Sequence, residues 1–230
     1  VQQMHCDNTP VEDQGVAQFA ADSNIKDYPE IDLFGYMKTT KGEGQTTRSA
    51  TVRLSNAIAL EPYTSDIDFL TNMGIAKRAG LNNAIAQSEI HSSLYTYTIA
   101  VDLDRVGIDG DITVDKEERA DRVKKLLDTI EFLYRDIKGR RENMSPVFAI
   151  GGLYERKNPY FENRIKSDRM KLDVEMIDSV IQSSDDTKNN THVGMLKGKF
   201  ANEEEINKLE PVTISEVFAI LKKEVDEYYA

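Results

Sequence analysis

The sequence predicts an α+β fold in which a small sheet is covered on one side by helices. Three observations predict it. Residues 94–103 alternate, with Tyr95, Tyr97, Ile99, Val101 and Leu103 on one face and Thr96, Thr98, Ala100 and Asp102 on the other. Residues 115–138 place Ala120, Val123, Leu126, Leu127, Ile130, Leu133, Tyr134 and Ile137 at helical spacing. Residues 146–154 form a short apolar run that ends near Gly151 and Gly152. Strand, helix and strand in that order suit a ferredoxin-like, RNA-recognition-motif-like sheet.

The elements follow in order. Residues 1–30 are polar and read as a loop. Asp32 to Met37 reads as a short strand, and Thr39 to Ala50, which contains Lys41-Gly-Glu-Gly44, as a flexible loop. Thr51 to Leu60 returns to order. Thr64 to Ser93 is a long excursion of the kind that is commonly functional. Asp115, three residues before Glu118, opens the long helix in the manner of a capping box, and Gly139 stops it. Asn158 to Lys171 is polar and basic. Residues 172–181 read as a strand and then a short helix, 183–191 as a loop and 192–200 as a strand. Asn202 with Glu205, and Thr213 with Glu216, start two last helices. The final apolar stripe is Val217, Phe218, Leu221, Val225 and Tyr228. Together these predict a single domain over 1–230, with insertions at about 39–50, 64–93 and 155–200.

Composition narrows the class. Hydrophobic residues at 40% and charged residues at 30% fit a globular chain. No apolar run approaches the roughly 20 residues of a membrane span, and residues 1–16 lack the pattern of a signal peptide. A single cysteine, Cys6, and three scattered histidines leave no intrachain disulfide and no structural zinc site. The chain is expected to be cytoplasmic, without a membrane partner and without a cofactor. Net charge is -11, from 40 acidic against 29 basic side chains, which at face value disfavours a nucleic-acid partner. The charge is unevenly spread, however. Residues 138–171 hold nine basic and four acidic groups, whereas residues 1–37 hold one and seven.

Enzyme templates fit poorly. Lys41-Gly-Glu-Gly44 lacks the spacing of a P-loop, and His5, His91 and His192 stand far apart. The acidic series Asp102, Asp104, Asp109, Asp111 and Asp115 fails as a calcium loop. Counted from Asp102, Val106 and Thr113 occupy the fifth and twelfth positions, and counted from Asp109, Val114 stands where glycine belongs. No metal site is expected. Phosphate contact is the better-supported chemistry. Lys38, Lys41, Arg48 and Arg53 surround the first loop; Lys77, Arg78 and His91 lie in the long excursion; Arg140, Arg141 and Asn143 follow the long helix; and Arg156, Lys157, Arg164, Lys166, Arg169 and Lys171 follow the 146–154 strand. Tyr95 and Tyr97 could stack on bases but fit a core face better.

A series of motifs adds a resemblance. Asp32-Leu-Phe-Gly-Tyr-Met37, Thr47 to Tyr63, Asp68-Phe-Leu-Thr-Asn72, Glu89-Ile-His91, Leu94-Tyr95 and Val101 to Gly107, in this order and spacing, resemble the DevR family of CRISPR-associated proteins, the backbone subunit of type I-B Cascade. The likeness is clearest over about residues 31–154. It implies an RNA-recognition-like palm with finger and thumb insertions, with several copies lining one CRISPR RNA. The guide would then pair with target DNA, so base pairing reads the sequence. Partners implied are the CRISPR RNA, target DNA through the guide, further copies of the chain and other Cascade subunits. The family does not itself cut nucleic acid, so no catalytic residue is expected. Arg48 and Arg53 match the family's arginine-containing stretch, His91 its histidine after the excursion, and Arg140 and Arg141 its basic helix-to-strand turn. The family begins with a strand and a helix that have no counterpart here. A sheet without its first strand would expose an edge, so the natural protein is expected to be longer at its N-terminus. The rival reading is a divalent-metal RNA nuclease built on Asp102 to Asp115.

Overall fold

The computed structural model describes residues 24–40, 44–82, 84–137 and 139–230. They form an α+β structure whose strands pair antiparallel, two by two. Helix α1 spans Pro29–Phe34, where the sequence predicts the start of a strand. Pro29 presets φ at the first helical position, and Glu30 and Asp32 put carboxylates into the first turn, where the helix dipole favours them. Gly35 ends the helix at φ +76, and a Cβ there would collide with the Arg48 carbonyl oxygen. Strand β1 (Tyr36–Thr40) then pairs with β2 (Gly44–Arg48). Much of the expected flexible loop is therefore a hairpin, because its threonines favour extended backbone. Residues 41–43 lie outside the described residues.

Strands β3 (Val52–Leu54) and β4 (Ile58–Ala59) lead into a long excursion made of β5 (Asp66–Thr71), helix α2 (Met73–Ala79) and β6 (Ile85–Ile90). β5 and β6 pair along their whole length. The chain returns through β7 (Tyr95–Thr96), paired with β4, and β8 (Ile99–Val101), paired with β3. The single strand expected over 94–103 is thus broken. Three residues separate β3 from β4 and two separate β7 from β8, so the ladder bulges. Ser55 fills the break: its N–H donates to the Thr98 carbonyl at 2.9 Å, and its hydroxyl accepts from the Thr98 N–H at 2.8 Å. Tyr95 and Tyr97 are exposed instead of lying in the core.

A small hairpin follows, β9 (Ile108–Asp109) with β10 (Ile112–Thr113), and then helix α3 (Lys116–Glu131). Asp115 makes no side-chain cap bond, and Glu118 turns instead to Arg122. The helix ends before the predicted position. Residues expected in its last turns form β11 (Tyr134–Ile137), which pairs with β12 (Arg140–Asn143). Gly139, at φ +78, serves the hairpin turn between them, not a helix end.

Strand β13 (Phe148–Gly151) begins the C-terminal part. Turns lead to the hairpin of β14 (Ser167–Asp168) and β15 (Lys171–Leu172). Helix α4 (Val174–Ile181) is capped by the Asp173 carboxylate, which accepts from the Met176 N–H at 3.0 Å. The loop expected over 183–191 holds a short helix, α5 (Asp185–Asn190), because Ser184 and Thr187 complete a reciprocal capping box. Strand β16 (His192–Met195) pairs with β13. Asn202 does not cap helix α6 (Glu203–Ile206); its side-chain amide bonds the N–H and C=O of Leu172. Thr213 and Glu216 do form the predicted box at the start of α7 (Ile214–Tyr229). The buried stripe of α7 ends on Tyr229, and Tyr228 is exposed.

Two apolar clusters hold these elements. Leu33, Val52, Val106, Ala120, Val123 and Leu126 pack with Val225 and Tyr229 of α7. Phe161, Leu172, Ile177, Val180, Met195, Phe200 and Ile206 form the second cluster. Helix α7 touches both groups of elements. It packs on α3, and its Val217 Cγ1 stands 2.6 Å from where a Cβ on Gly194 of β16 would lie. Among the described residues, no helix is long and apolar enough to cross a membrane.

Candidate nucleic-acid interface

The β11–β12 hairpin carries three of the predicted contact residues, Arg140, Arg141 and Asn143, all exposed. Its register pairs Tyr134 with Asn143, Arg135 with Glu142, Asp136 with Arg141 and Ile137 with Arg140. Strand alternation therefore sets Tyr134, Asp136, Arg141 and Asn143 on one face, and Arg135, Ile137, Arg140 and Glu142 on the other. On the first face the Arg141 guanidinium lies 4.6 Å from the Tyr134 ring centroid and 3.0 Å from the Asp136 carboxylate. Asp136 holds the Arg141 guanidinium above its usual range, and Arg141 draws the Asp136 carboxyl below its own. Asn143 Oδ1 accepts from the Ser145 N–H at 2.9 Å and fixes the end of the strand. On the second face Arg135 and Arg140 are exposed, and neither forms an ion pair among the described residues. Arg135 escapes a sequence reading that puts residue 135 on a helix; its arginine type was visible, but not its strand partners.

His91 sits in a second place. Its ring stacks on Tyr63, with centroids 5.0 Å apart at 29°, and meets the edge of Tyr95. Nδ1 shares a hydrogen bond with the Tyr95 hydroxyl, and Nε2 is buried with no partner among the described residues. Lys38 lies 4.7 Å over the Tyr36 ring. Lys77 and Arg78 occupy the last turn of α2, where the helix dipole favours cations, and Arg78 Nε donates to the Gly74 carbonyl at 3.1 Å.

Arg48 requires a correction. Its side chain is 3% exposed. It donates to Asp32 at 2.5 Å and to the Ile108 carbonyl at 2.6 Å, and lies 3.4 Å from Asp109. Arg122 reaches the other Asp32 oxygen at 2.9 Å, and the Gly107 N–H donates to both. Arg48 is therefore a member of a buried charge cluster and presents no surface to a phosphate. Arg53 is half exposed but bonds Asp102 at 3.1 Å.

The acidic series disperses. Asp102 faces Arg53, Arg105 and Lys157; Asp104 faces Lys157, whose hydrogen bond holds its carboxyl below the usual range; Asp109 faces Arg48 and accepts from Tyr36. Among the described residues, no three His, Cys, Asp or Glu side chains converge as metal ligands. Of the remaining histidines, His192 Nε2 donates to the Glu224 carboxylate at 2.7 Å between β16 and α7, and His5 lies outside the described residues.

The family model described as CRISPR-associated negative auto-regulator DevR/Csa2 matches residues 3–171. The chain belongs to the DevR/Csa2 family. No curated protein matches it. Every predicted contact residue, from Lys38 to Asn143, lies inside the segment that matches the DevR/Csa2 model. The excursion of β5, α2 and β6, also inside it, exposes Ile67, Phe69, Leu70, Met73, Ile75 and Ile85, apolar surface of the kind that marks protein contacts.

Proposed function

We propose that this DevR/Csa2 protein is a non-catalytic CRISPR RNA-binding backbone subunit of a Cascade-type complex, of type I-B, acting in the cytoplasm in antiviral defence. Several copies coat one guide RNA, together with other Cascade subunits, and support its pairing with target DNA. Membership in a CRISPR-associated family carries this reading, and the β11–β12 hairpin supplies the surface. Arg140 and Arg135 stand open on one face for phosphates, while the Arg141–Tyr134 pair offers a flat cation and ring to a base or sugar. His91 with Tyr63 and Tyr95 is a second stacking group. The exposed apolar face of the β5–β6 hairpin suits packing on a neighbouring copy.

The palm reading, an RNA-recognition-like unit over 1–230, is supported by where the excursions leave. β3 pairs with β8 and β4 with β7 on either side of residues 64–93, and β13 pairs with β16 on either side of most of 155–200. Holding RNA without cutting it is supported by the engagement of Asp102, Asp104 and Asp109 of the acidic series with cations.

The test is a salt titration of single-stranded RNA binding. The logarithm of affinity is expected to fall linearly with log salt, by about 0.7 per phosphate contact. Arg140→Glu is expected to weaken binding without unfolding the chain. A salt-independent affinity, or complex purified without RNA of defined length, would overturn the reading.

A further inference from the structure

A second cationic surface stands on the β14–β15 hairpin, in part beyond the residues matched by the family model. Its two-residue turn, Arg169-Met170, joins Asp168 to Lys171. Both turn residues take the left-handed conformation, Arg169 at φ 49 and Met170 at φ 63. Such a turn favours Asn-Gly, because a Cβ crowds the following carbonyl oxygen in this conformation. An arginine is thus held at the tip against the local backbone preference, a form of strain that concentrates at functional positions.

The fold brings a distant segment to this tip. The Ala201 N–H donates to the Met170 carbonyl at 2.9 Å, and the Asn202 side chain clasps Leu172 through both backbone groups. Lys199 is thereby carried to the hairpin that bears Arg169 and Lys171. The Asp173 N–H donates to the Lys166 carbonyl at 3.0 Å, which extends the ladder by one pair and sets Lys166 and Lys171 on one outward face. All four cations are exposed, and none forms an ion pair among the described residues. Three carboxylates stand nearby: Asp168 and Asp173 on the same outward face, Asp173 being engaged by the Met176 N–H, and Glu203, which accepts from the Gly198 N–H. The apolar residues beneath the charge, Leu172 and Phe200, are buried, and Met170 at the tip is half-buried. A protein interface has an apolar, charge-poor centre, whereas a phosphate backbone is met by cationic and polar groups, Arg and Lys foremost.

We propose that Lys166, Arg169, Lys171 and Lys199 form a second phosphodiester-binding surface, separate from the β11–β12 hairpin. The inference rests on the RNA-binding reading above and extends it to a strand of nucleic acid crossing the C-terminal half of the chain. RNA and the DNA it pairs with share this chemistry.

The experiment uses the full chain with fluorescein-labelled single-stranded RNA, and separately DNA of the same sequence, each titrated with salt. Three variants are compared with the parent: K166Q/R169Q/K171Q/K199Q, R169G and R140Q. The quadruple variant is expected to lose at least about tenfold in affinity at low salt and to flatten the salt slope by about 2 to 3. Glycine relieves the left-handed turn, so R169G keeps the fold while removing the tip charge. It is expected to flatten the slope by about 0.7. A loss confined to RNA assigns the surface to the guide, and one confined to DNA assigns it to the target; either supports the proposal. Unchanged binding by the quadruple variant and R169G, with R140Q weakened, overturns this proposal and leaves the RNA-binding reading standing. No salt-dependent binding of either probe by the parent overturns both. A change only in self-association would make the surface a protein interface and likewise overturn the proposal.

Discussion

Asp32 is fully buried, and its carboxylate holds Arg48 at 2.5 Å and Arg122 at 2.9 Å. Removing one member of such a cluster leaves a buried charge without its counter-charge, which costs about 3–5 kcal/mol. Asp32→Asn is therefore expected to lower the unfolding free energy by that amount in a urea titration, with Arg48→Ala close behind. Arg140→Ala, at an exposed position, is expected to stay within about 0.5 kcal/mol of the parent. The pair of measurements separates a structural arginine from a surface one. Both residues are arginines with polar or small neighbours in the sequence, Arg48 between Thr47 and Ser49 and Arg140 between Gly139 and Arg141. Residue type alone predicted the same role for each, and only burial tells them apart.

At the scale of elements, capping and burial make the sharpest predictions. Thr213 and Glu216 satisfy each other's orphan donors at the start of α7. Thr213→Ala is expected to cost about 1 kcal/mol, read as a shift in the denaturation midpoint. The far end of the same helix buries Tyr229, whose hydroxyl donates to the Leu103 carbonyl at 2.5 Å. Burial pushes this phenol up to about 12. A raised folded value means its contribution is complete below the ordinary tyrosine value of about 10 and is lost as pH rises through about 12. Denaturant midpoints measured across that alkaline window should fall, and Tyr229→Phe should flatten the fall at a cost near 1 kcal/mol at neutral pH. Hairpins were the elements least legible in the sequence. Tyr134 and Ile137 continue the helical spacing of α3, yet pair with Asn143 and Arg140 across the turn at Gly139. A short segment can satisfy both periods, and its strand partner settles which one wins.

At the scale of the molecule, charge and apolar exposure are divided among regions. Helices α3 and α7 bind each other through Lys124 with Asp226 and Lys222 with Asp128 and Glu131. Cations that form no ion pair among the described residues stand open on the β11–β12 and β14–β15 hairpins. The net charge of -11 is thus compatible with a basic track, since a total carries no information on placement. The β5–β6 hairpin exposes apolar side chains on both faces, including Ile67, Phe69 and Leu70. Phe69→Ser is expected to leave the unfolding free energy within about 0.5 kcal/mol and to reduce self-association in sedimentation. Unaltered association would place the copy-to-copy contact on another surface.

By itself the sequence determined the family, the α+β class, the long helix near residue 120, the box at Thr213 and the basic stretch over 138–171. Each is written in neighbouring residues, as a motif order, a local period, a capping pair or a run of like charge. Only the tertiary structure decided that Arg48 is buried with Asp32, that Asp102 and Asp104 face Arg53 and Lys157, that Arg135 shares a strand face with Arg140, and that Ala201, two residues after Lys199, bonds Met170 beside Arg169. These depend on which distant segments meet. Local periodicity is blind to such pairings, because the energy that selects them comes from contacts between residues far apart in the chain.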